Sequence, residues 1–476
     1  MTRPWLGIAC RGALAALLAA TLLPAAASSA GADDSPVLSM RTYALPLGAK
    51  PTLAQLQNEG VMKRLQARAQ EEHAQASLAA AETVGPAATY ADLDQEPSAT
   101  PPPPAAAVRP QRSALAAGDA VYPEPSRKMT LDECRNALGS TKKFYVKSRF
   151  AVCTGTSFIQ TWFRNNTPIG QSKFNLRVVG AIPKNSRKID YTFHFSEMAS
   201  SPDVPAAALK ISVKPEIKTS WPSTARYTYG GTLPGTKTFG EAQLTKSYTH
   251  SITAKPGQGA AGLDTIFAVY EPVVSLAPPA PWSLSPPTST KMFVLAPRWE
   301  AAKYLANSTG SGNPDKRGAA AFSYVVPLIY HTKDGAVEQE VAKHIKTAFT
   351  KPEDTKPYMS AKKVPGQLPD APLHRTRHKD RIEANGKAAI AQCKRYWGAN
   401  YTQGGARECD EYPFASTLEG AAEHSYNADA KKFNFSSKPL KAVHNRDAGL
   451  LLKSFYAKNR MLADTDDDGF LVKITS

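Results

Sequence analysis

Cysteine is scarce, five in 476 residues. None is spaced C-x-x-C or accompanied by a histidine-rich run, which excludes the usual zinc-module ligand sets. Long apolar runs are as rare. The one from Gly12 to Leu23 is shorter than the ~20 residues a membrane-spanning helix needs, and neither a basic stop-transfer cluster nor a second such run follows, so no spanning helix is expected. Acidic side chains are in deficit, 41 Asp and Glu against 58 Lys and Arg. The resulting charge of +17 and pI near 9.5 favour polyanionic partners such as nucleic acid or an anionic cell envelope. Hydrophobic residues make up 42%, which excludes a disordered chain and allows about two to three folding units plus linkers.

What is present at the amino terminus has the parts of a secretory signal. Met1-Thr2-Arg3 and Arg11 precede the apolar run, and Pro24-Ala25-Ala26-Ala27 closes it with small residues, so residues 1–27 are expected to be a signal peptide and the protein to be exported to the extracellular side. Cys10 precedes the apolar core, where lipid modification is not expected. Signal removal leaves Cys134, Cys153, Cys393 and Cys409. The most local pairing, Cys134 with Cys153 and Cys393 with Cys409, would stabilise the fold by about 3 kcal/mol per loop in the chain-entropy model; other pairings stay open.

Residues 28–125 read as an Ala/Pro-rich linker or propeptide. Thr52 to Glu82 has helix propensity but few apolar positions, a solvated helix at best, and Pro97 to Pro110 should be an extended spacer. Residues 126–335 read as a basic, β-rich, antiparallel and sandwich-like domain. Candidate strands are Lys173 to Val179, Ile189 to Phe195, Leu209 to Val213, Gln243 to Ile252, Thr265 to Tyr270, Met292 to Ala296 and Phe322 to Tyr330. Most of the charge excess lies here: 126–330 holds 25 Lys and Arg against 11 Asp and Glu, whereas 371–476 holds 17 against 13. His194 and His250 are lone histidines in strand patterns, expected to be solvated or structurally bonded. Trp162, Trp221, Tyr227, Tyr229 and Trp282 are expected in core packing. In 336–370, Val337, Val341, Ile345 and Phe349 mark a short amphipathic helix, followed by a Pro/Lys-rich linker that sets a domain boundary.

The final domain, 371–476, carries the chemistry. A helix over Arg381 to Lys394 and an aromatic loop lead to Cys409-Asp410-Glu411-Tyr412-Pro413-Phe414-Ala415. Asp410 and Glu411 point to opposite faces if this segment is extended and to adjacent sides if it turns. Pro413 restricts Tyr412 to extended conformations, and the extended case gives the two carboxylates different jobs. Glu419-Gly420 follows, the glycine marking a turn or a close approach. Strand pieces at Lys431 to Phe435 and Leu440 to Val443 precede an apolar helix with His444 or Asn445 as its N-cap. A cluster of hard oxygen donors suits metal-assisted acid/base chemistry; the plainer reading is a salt-bridged turn stapled by a disulfide.

This string, with Glu419-Gly420, Asn445-Arg446, Ala448-Gly449 and a closing strand Phe470-Leu471-Val472-Lys473-Ile474, resembles the NucA/NucB type of secreted bacterial deoxyribonuclease. The resemblance covers roughly 371–476. It implies a small α+β domain with a ββα-metal-type nuclease core and a metal-dependent, sequence-nonspecific endonuclease cutting DNA, with RNA as a second substrate. Asp410 would be the general base, Asn445 a metal ligand for Mg2+ or Mn2+, and Glu411 and Glu419 metal ligands or their supports. Arg446 or Arg407 would neutralise the scissile phosphate. His444 stands where a small or acidic residue is expected and competes as base, ligand or substrate contact. An alternative is a cell-surface polyanion-binding protein whose nuclease-like module is inactive, the β-rich domain holding an anionic envelope polymer; no lipid partner is expected. Asp464-Thr465-Asp466-Asp467-Asp468-Gly469 matches the first half of a calcium loop, but Thr475 stands where the bidentate carboxylate belongs, which leaves an acidic turn.

Overall fold

The computed structural model describes residues 35–80, 120–139, 144–259, 262–285, 289–292 and 294–476. The expected signal peptide, 1–27, and the expected spacer Pro97 to Pro110 lie outside the described residues. About a third of the described residues are in β-strands, most of them built on alternation. In the strand Lys188–Ser200, Ile189, Tyr191, Phe193 and Phe195 are buried while the residues between them face outward. This strand lies inside an eight-stranded sheet that runs Ser283–Leu284, Leu38–Leu45, Ala151–Arg164, Thr167–Ala181, Lys188–Ser200, Ser247–Ala254, Tyr227–Gly231, with Phe144–Ser148 also paired to Ala151–Arg164. Two four-stranded sheets pack against it, one of them containing Ile266–Tyr270 and Pro297–Glu300. Tyr191 stacks on Tyr270 at 4.1 Å between ring centroids, and Trp162 and Trp299 are fully buried in the shared core.

Several sequence expectations are corrected here. Leu38–Leu45 is no part of a linker: it pairs antiparallel with residues 157–164 along its whole length, and Met40, Tyr43, Ala44 and Leu45 are buried. The helices Leu53–Gln57 and Glu59–Ala80 follow, and they are not wholly solvated, because Leu56 and Met62 pack on Tyr43, Leu45 and Ile159. The expected strand at Gln243 begins instead as the helix Phe239–Thr245, started by a capping box between Thr238 and Glu241; the strand is Ser247–Ala254. Among the described residues of Met292 to Ala296 there is one isolated bridge, Leu295 to Tyr270, and no strand. His250 is buried with Nδ1 3.1 Å from the Tyr270 hydroxyl, and His194 Nδ1 lies 2.7 Å from Ser247 Oγ, both structural bonds. Trp162 packs edge-on against Trp282, whereas Tyr229 is exposed.

The carboxy-terminal core also begins earlier than the sequence suggests. The stretch Phe322 to Tyr330 splits: Ala319–Phe322 stays in the β-rich region, while Val326–His331 pairs parallel with Gly469–Thr475. Next comes the helix Gln339–Thr350, whose Val341, Ala342, Ile345 and Ala348 share a core with Leu328, Tyr330, Tyr412, Leu440, Phe455 and Phe470. Residues 336–370 are therefore part of this unit. Even the proline-rich turn is fixed, since Tyr412 donates its hydroxyl to Pro365 O at 2.9 Å. Gly366, at φ 94°, sits where any Cβ would collide with that hydroxyl. Lys379–Trp397 forms a helix as expected, and both cysteine pairs lie at disulfide distance, Cα–Cα 5.9 and 6.1 Å.

Candidate active site

The acidic segment is extended. Arg407–Tyr412 pairs antiparallel with Ser436–Lys441, Asp410 opposite Lys438, so alternate side chains face opposite ways. Cys409 joins Cys393 on the helix Lys379–Trp397, which places Arg407, Cys409 and Glu411 on that side. Glu408, Asp410 and Tyr412 face the other side, toward Gln339–Thr350 and the helix Ala442–Lys458. Their contacts record it: Asn445 Nδ2 donates to Glu408 Oε2 at 3.1 Å, His344 Nδ1 lies 2.5 Å from Asp410 Oδ2, and Phe349 meets the Tyr412 ring edge-on.

Asp410 and His344 are each only 4% exposed, and Ser436, whose Oγ lies 2.6 Å from His344 Nε2, 1%. An ionised carboxylate can only accept, so Nδ1 carries a proton and donates it; in the neutral ring Nε2 then accepts from the Ser436 hydroxyl. Glu411, on the opposite face and partly buried, behaves differently. Burial pushes its carboxyl up to about 8, the charge of Asp410 adds to this, and the backbone N–H of Ala415 only partly opposes it. Tyr401 is raised by burial and by Glu408 and Glu411.

The helix after the strand pair starts at Ala442 with Lys441 as N-cap, because one strand, Ser436–Lys441, runs through the expected connection, while Lys431 to Phe435 forms no strand and Val443 is already helical. His444 and Asn445 consequently lie in its first turn and are not its cap. His444 Nδ1 accepts the backbone N–H of Glu340 at 3.2 Å, so a neutral His444 carries its proton on Nε2, which makes that nitrogen a donor and not a base. The Glu340 carboxylate accepts from the Lys441 backbone N–H at 2.9 Å and lies 3.3 Å from its ammonium. Arg446 is exposed, its nearest acid Asp447 at 3.8 Å. Arg407 donates to Pro439 O at 3.0 Å and Gln403 Oε1 at 3.2 Å, on the face away from Asp410.

Glu419 does not join Asn445. Its two carboxylate oxygens accept from His374, the backbone N–H at 2.9 Å and Nδ1 at 2.6 Å, because the short strand Leu373–His374 runs beside the turn that Glu419 closes. Gly420 is a close approach, as a Cβ there would strike the Asn385 amide. The acid that does meet Asn445 is Glu408, which the sequence reading passed over although a period of two from Asp410 puts it on the same face. His344 and Ser436 were also missed; the signal for His344 was a titratable side chain three residues after Val341, on the apolar side of its helix.

Among the described residues no group of three or more His, Cys, Asp or Glu could hold a metal ion. The donors nearest to such a role are the Glu408 carboxylate and the Asn445 amide oxygen, hard ligands of the kind that hold Mg2+ through one or two carboxylates, with water and substrate phosphate completing the shell. The acidic turn before the last strand faces protein donors: Asp464 accepts from Thr376 Oγ1 at 2.6 Å and Arg377 N at 2.8 Å, and Asp468 is enclosed by Arg149 and Arg298.

Residues 362–470 match the family model for deoxyribonuclease NucA/NucB. No curated protein and no solved structure matches the chain. The family match contains the strand pair, Glu408, Asp410 and Asn445, and begins after His344.

Proposed function

Taking the NucA/NucB match of residues 362–470 as the premise, we propose that this protein is an exported, metal-dependent, sequence-nonspecific endonuclease that hydrolyses phosphodiester bonds of DNA, with RNA as a second substrate. The observation that carries the reading is the contact of Glu408, which shares a strand face with Asp410, with Asn445 in the first turn of the next helix. An antiparallel pair followed at once by a helix is the order a ββα nuclease core requires. Two cysteine pairs at bonding distance support an oxidising compartment. The basic β-rich region, with its surplus of Lys and Arg, is assigned a supporting role toward polyanions.

In this mechanism Asp410 acts as general base. His344 occupies Oδ2, which leaves Oδ1 to take the proton of a water attacking phosphorus. Glu408 and Asn445 would hold Mg2+ or Mn2+, and such an ion when bound supplies Lewis-acid stabilisation of the charge on the phosphate and the departing oxygen. Arg446, exposed at the start of the helix, and His444 through Nε2–H provide contacts to phosphate oxygens. Arg407 holds the strand pair together and does not serve the phosphate.

The test is nicking of supercoiled plasmid by the full-length protein with Mg2+, Mn2+ or EDTA. Cutting is expected with a divalent ion and not in EDTA, and Asp410→Ala combined with Asn445→Ala should lower it by at least ~100-fold. Undiminished cutting by the double variant overturns the assignment. Salt-sensitive DNA binding without any cutting would instead favour a polyanion-binding protein with an inactive module.

A further inference from the structure

We propose that His344 is the positioning residue of the Asp410 carboxylate, supplied by a helix outside the family-matched segment; the inference rests on the nuclease reading above. The helix Gln339–Thr350 precedes the match, which begins at residue 362, yet it is packed into the same core through Val341, Ile345 and Ala348. From this helix His344 reaches Asp410, 66 residues further on, at 2.5 Å, and its other ring nitrogen is held by Ser436 at 2.6 Å.

The connectivity Ser436, His344, Asp410 is that of a serine-hydrolase triad, but the burial runs the wrong way. Ser436 is only 1% exposed and lies on a paired strand, so no acyl group can approach its hydroxyl. A triad delivers a reactive serine to the substrate; here all three groups are enclosed, Asp410 at 4%, and on the nuclease reading the serine is the anchor and the carboxylate the working end. Ser436 fixes the imidazole from behind, and the imidazole fixes Asp410 from its Oδ2 side. A carboxylate on a two-stranded ribbon would otherwise rotate about its last torsion, which is broad for this side chain. Binding one oxygen through a charge-assisted hydrogen bond selects which oxygen faces the water and at what angle.

Two readouts separate positioning from simple support of the fold. In the metal-free full-length protein, proton NMR should show a downfield imidazole N–H resonance that Asp410→Ala abolishes and Ser436→Ala retains. In nicking assays His344→Leu should lower kcat by about 100-fold, the usual cost of a misaligned reacting group, with KM for DNA unchanged and the protein still folded by circular dichroism. His344→Asn, whose amide nitrogen can take the place of Nδ1, should recover most of the loss. Should His344→Leu fail to fold, His344→Asn against His344→Gln gives the same comparison, because Gln places its donor toward Ser436. Equal kcat for wild type and the substituted proteins, or a loss seen equally in KM and in all replacements, overturns the positioning role. A wild-type protein that cuts no DNA with any divalent ion overturns the nuclease reading itself, a distinguishable result.

Discussion

Asp468→Asn tests how firmly the carboxy-terminal unit is joined to the β-rich region. Asp468, in the turn before the last strand, is 1% exposed, and so are its partners: Arg149 at 1% and Arg298 at 0%. Arg149 donates to both carboxylate oxygens, the Nη1 contact at 3.3 Å; Arg298 Nη1 lies 2.5 Å from Oδ2, and the backbone N–H of Leu462 donates to the same oxygen at 2.6 Å. Asparagine preserves shape and the Leu462 bond but removes a charge that pairs with two buried guanidiniums. Breaking a buried pair costs about 3–5 kcal/mol, and two stranded cations place this case at the upper end. Since a domain is stable by only ~5–15 kcal/mol in total, the loss is a large share. Burial alone would raise the Asp468 carboxyl, but Arg149 and Arg298 outweigh it and hold it below the ordinary 3.8. Its stabilisation is therefore fully present above that value and is lost as pH falls through the lowered folded value. Urea unfolding at pH 7 should show a single transition in the wild type and, in the variant, a midpoint lowered by an amount worth about 3 kcal/mol or more, with the gap narrowing only in acid below pH 3.8. A difference under about 1 kcal/mol at pH 7, the size of a surface pair, would refute the reasoning.

Glu411→Gln mimics the protonated carboxyl that burial and Asp410 favour. With the folded value raised from 4.5 to about 8, the stabilisation is complete below pH 4.5 and lost as pH rises through about 8, by on the order of a few kcal/mol after allowing for partial exposure. Thermal melts in EDTA from pH 5 to 9 should show the variant gaining on wild type as pH rises, and parallel curves would contradict this. A 371–476 fragment lacks Leu328, Tyr330, Val341 and Ile345, all 1% exposed or less; at about 1.5–3 kcal/mol each their absence exceeds the margin of a small domain, so no cooperative melt is expected by circular dichroism. A sharp transition would show that this strand and helix are dispensable.

Local pattern was enough for elements whose partners lie close by or whose alternation is strict. Ile189, Tyr191, Phe193 and Phe195 declared a half-buried strand without help, and Pro413 declared an extended Tyr412, hence the split of Asp410 from Glu411. The strand Leu38–Leu45 was not legible. Its burial depends on residues 157–164, and its own sequence, with Arg41 and Thr42 in the middle, carries no clean period of two. Lys351 to Pro372 looked like a linker because prolines and lysines dominate it, yet Pro365 O is the acceptor of the Tyr412 hydroxyl, a contact made across 47 positions. Glu419 had suitable chemistry and spacing but a nearer partner, His374. His344 was one histidine in a short amphipathic helix, and nothing in its neighbourhood along the chain points to Asp410.

The same long-range contacts bear on what the β-rich region does. A tethered accessory domain would keep its charges in water and touch the catalytic unit through a small, polar interface. Here Arg298 is completely buried, pairs with Asp468 and donates to Arg460 O at 2.5 Å, while Arg460 in turn pairs with Glu300 at 2.5 Å. Arg460 follows the end of the helix that carries Asn445, and Asp468 immediately precedes the strand Gly469–Thr475, the middle strand of the sheet it forms with Val326–His331 and Leu373–His374. Both ends of the turn at 459–468 are thus clamped by strand residues of the β-rich region. Buried ion pairs of this kind add little net stability but penalise any arrangement that separates them. The β-rich region therefore fixes the far end of the helix that carries Asn445 and the central strand behind it, so Arg298 bears on the placement of Asn445 through that helix.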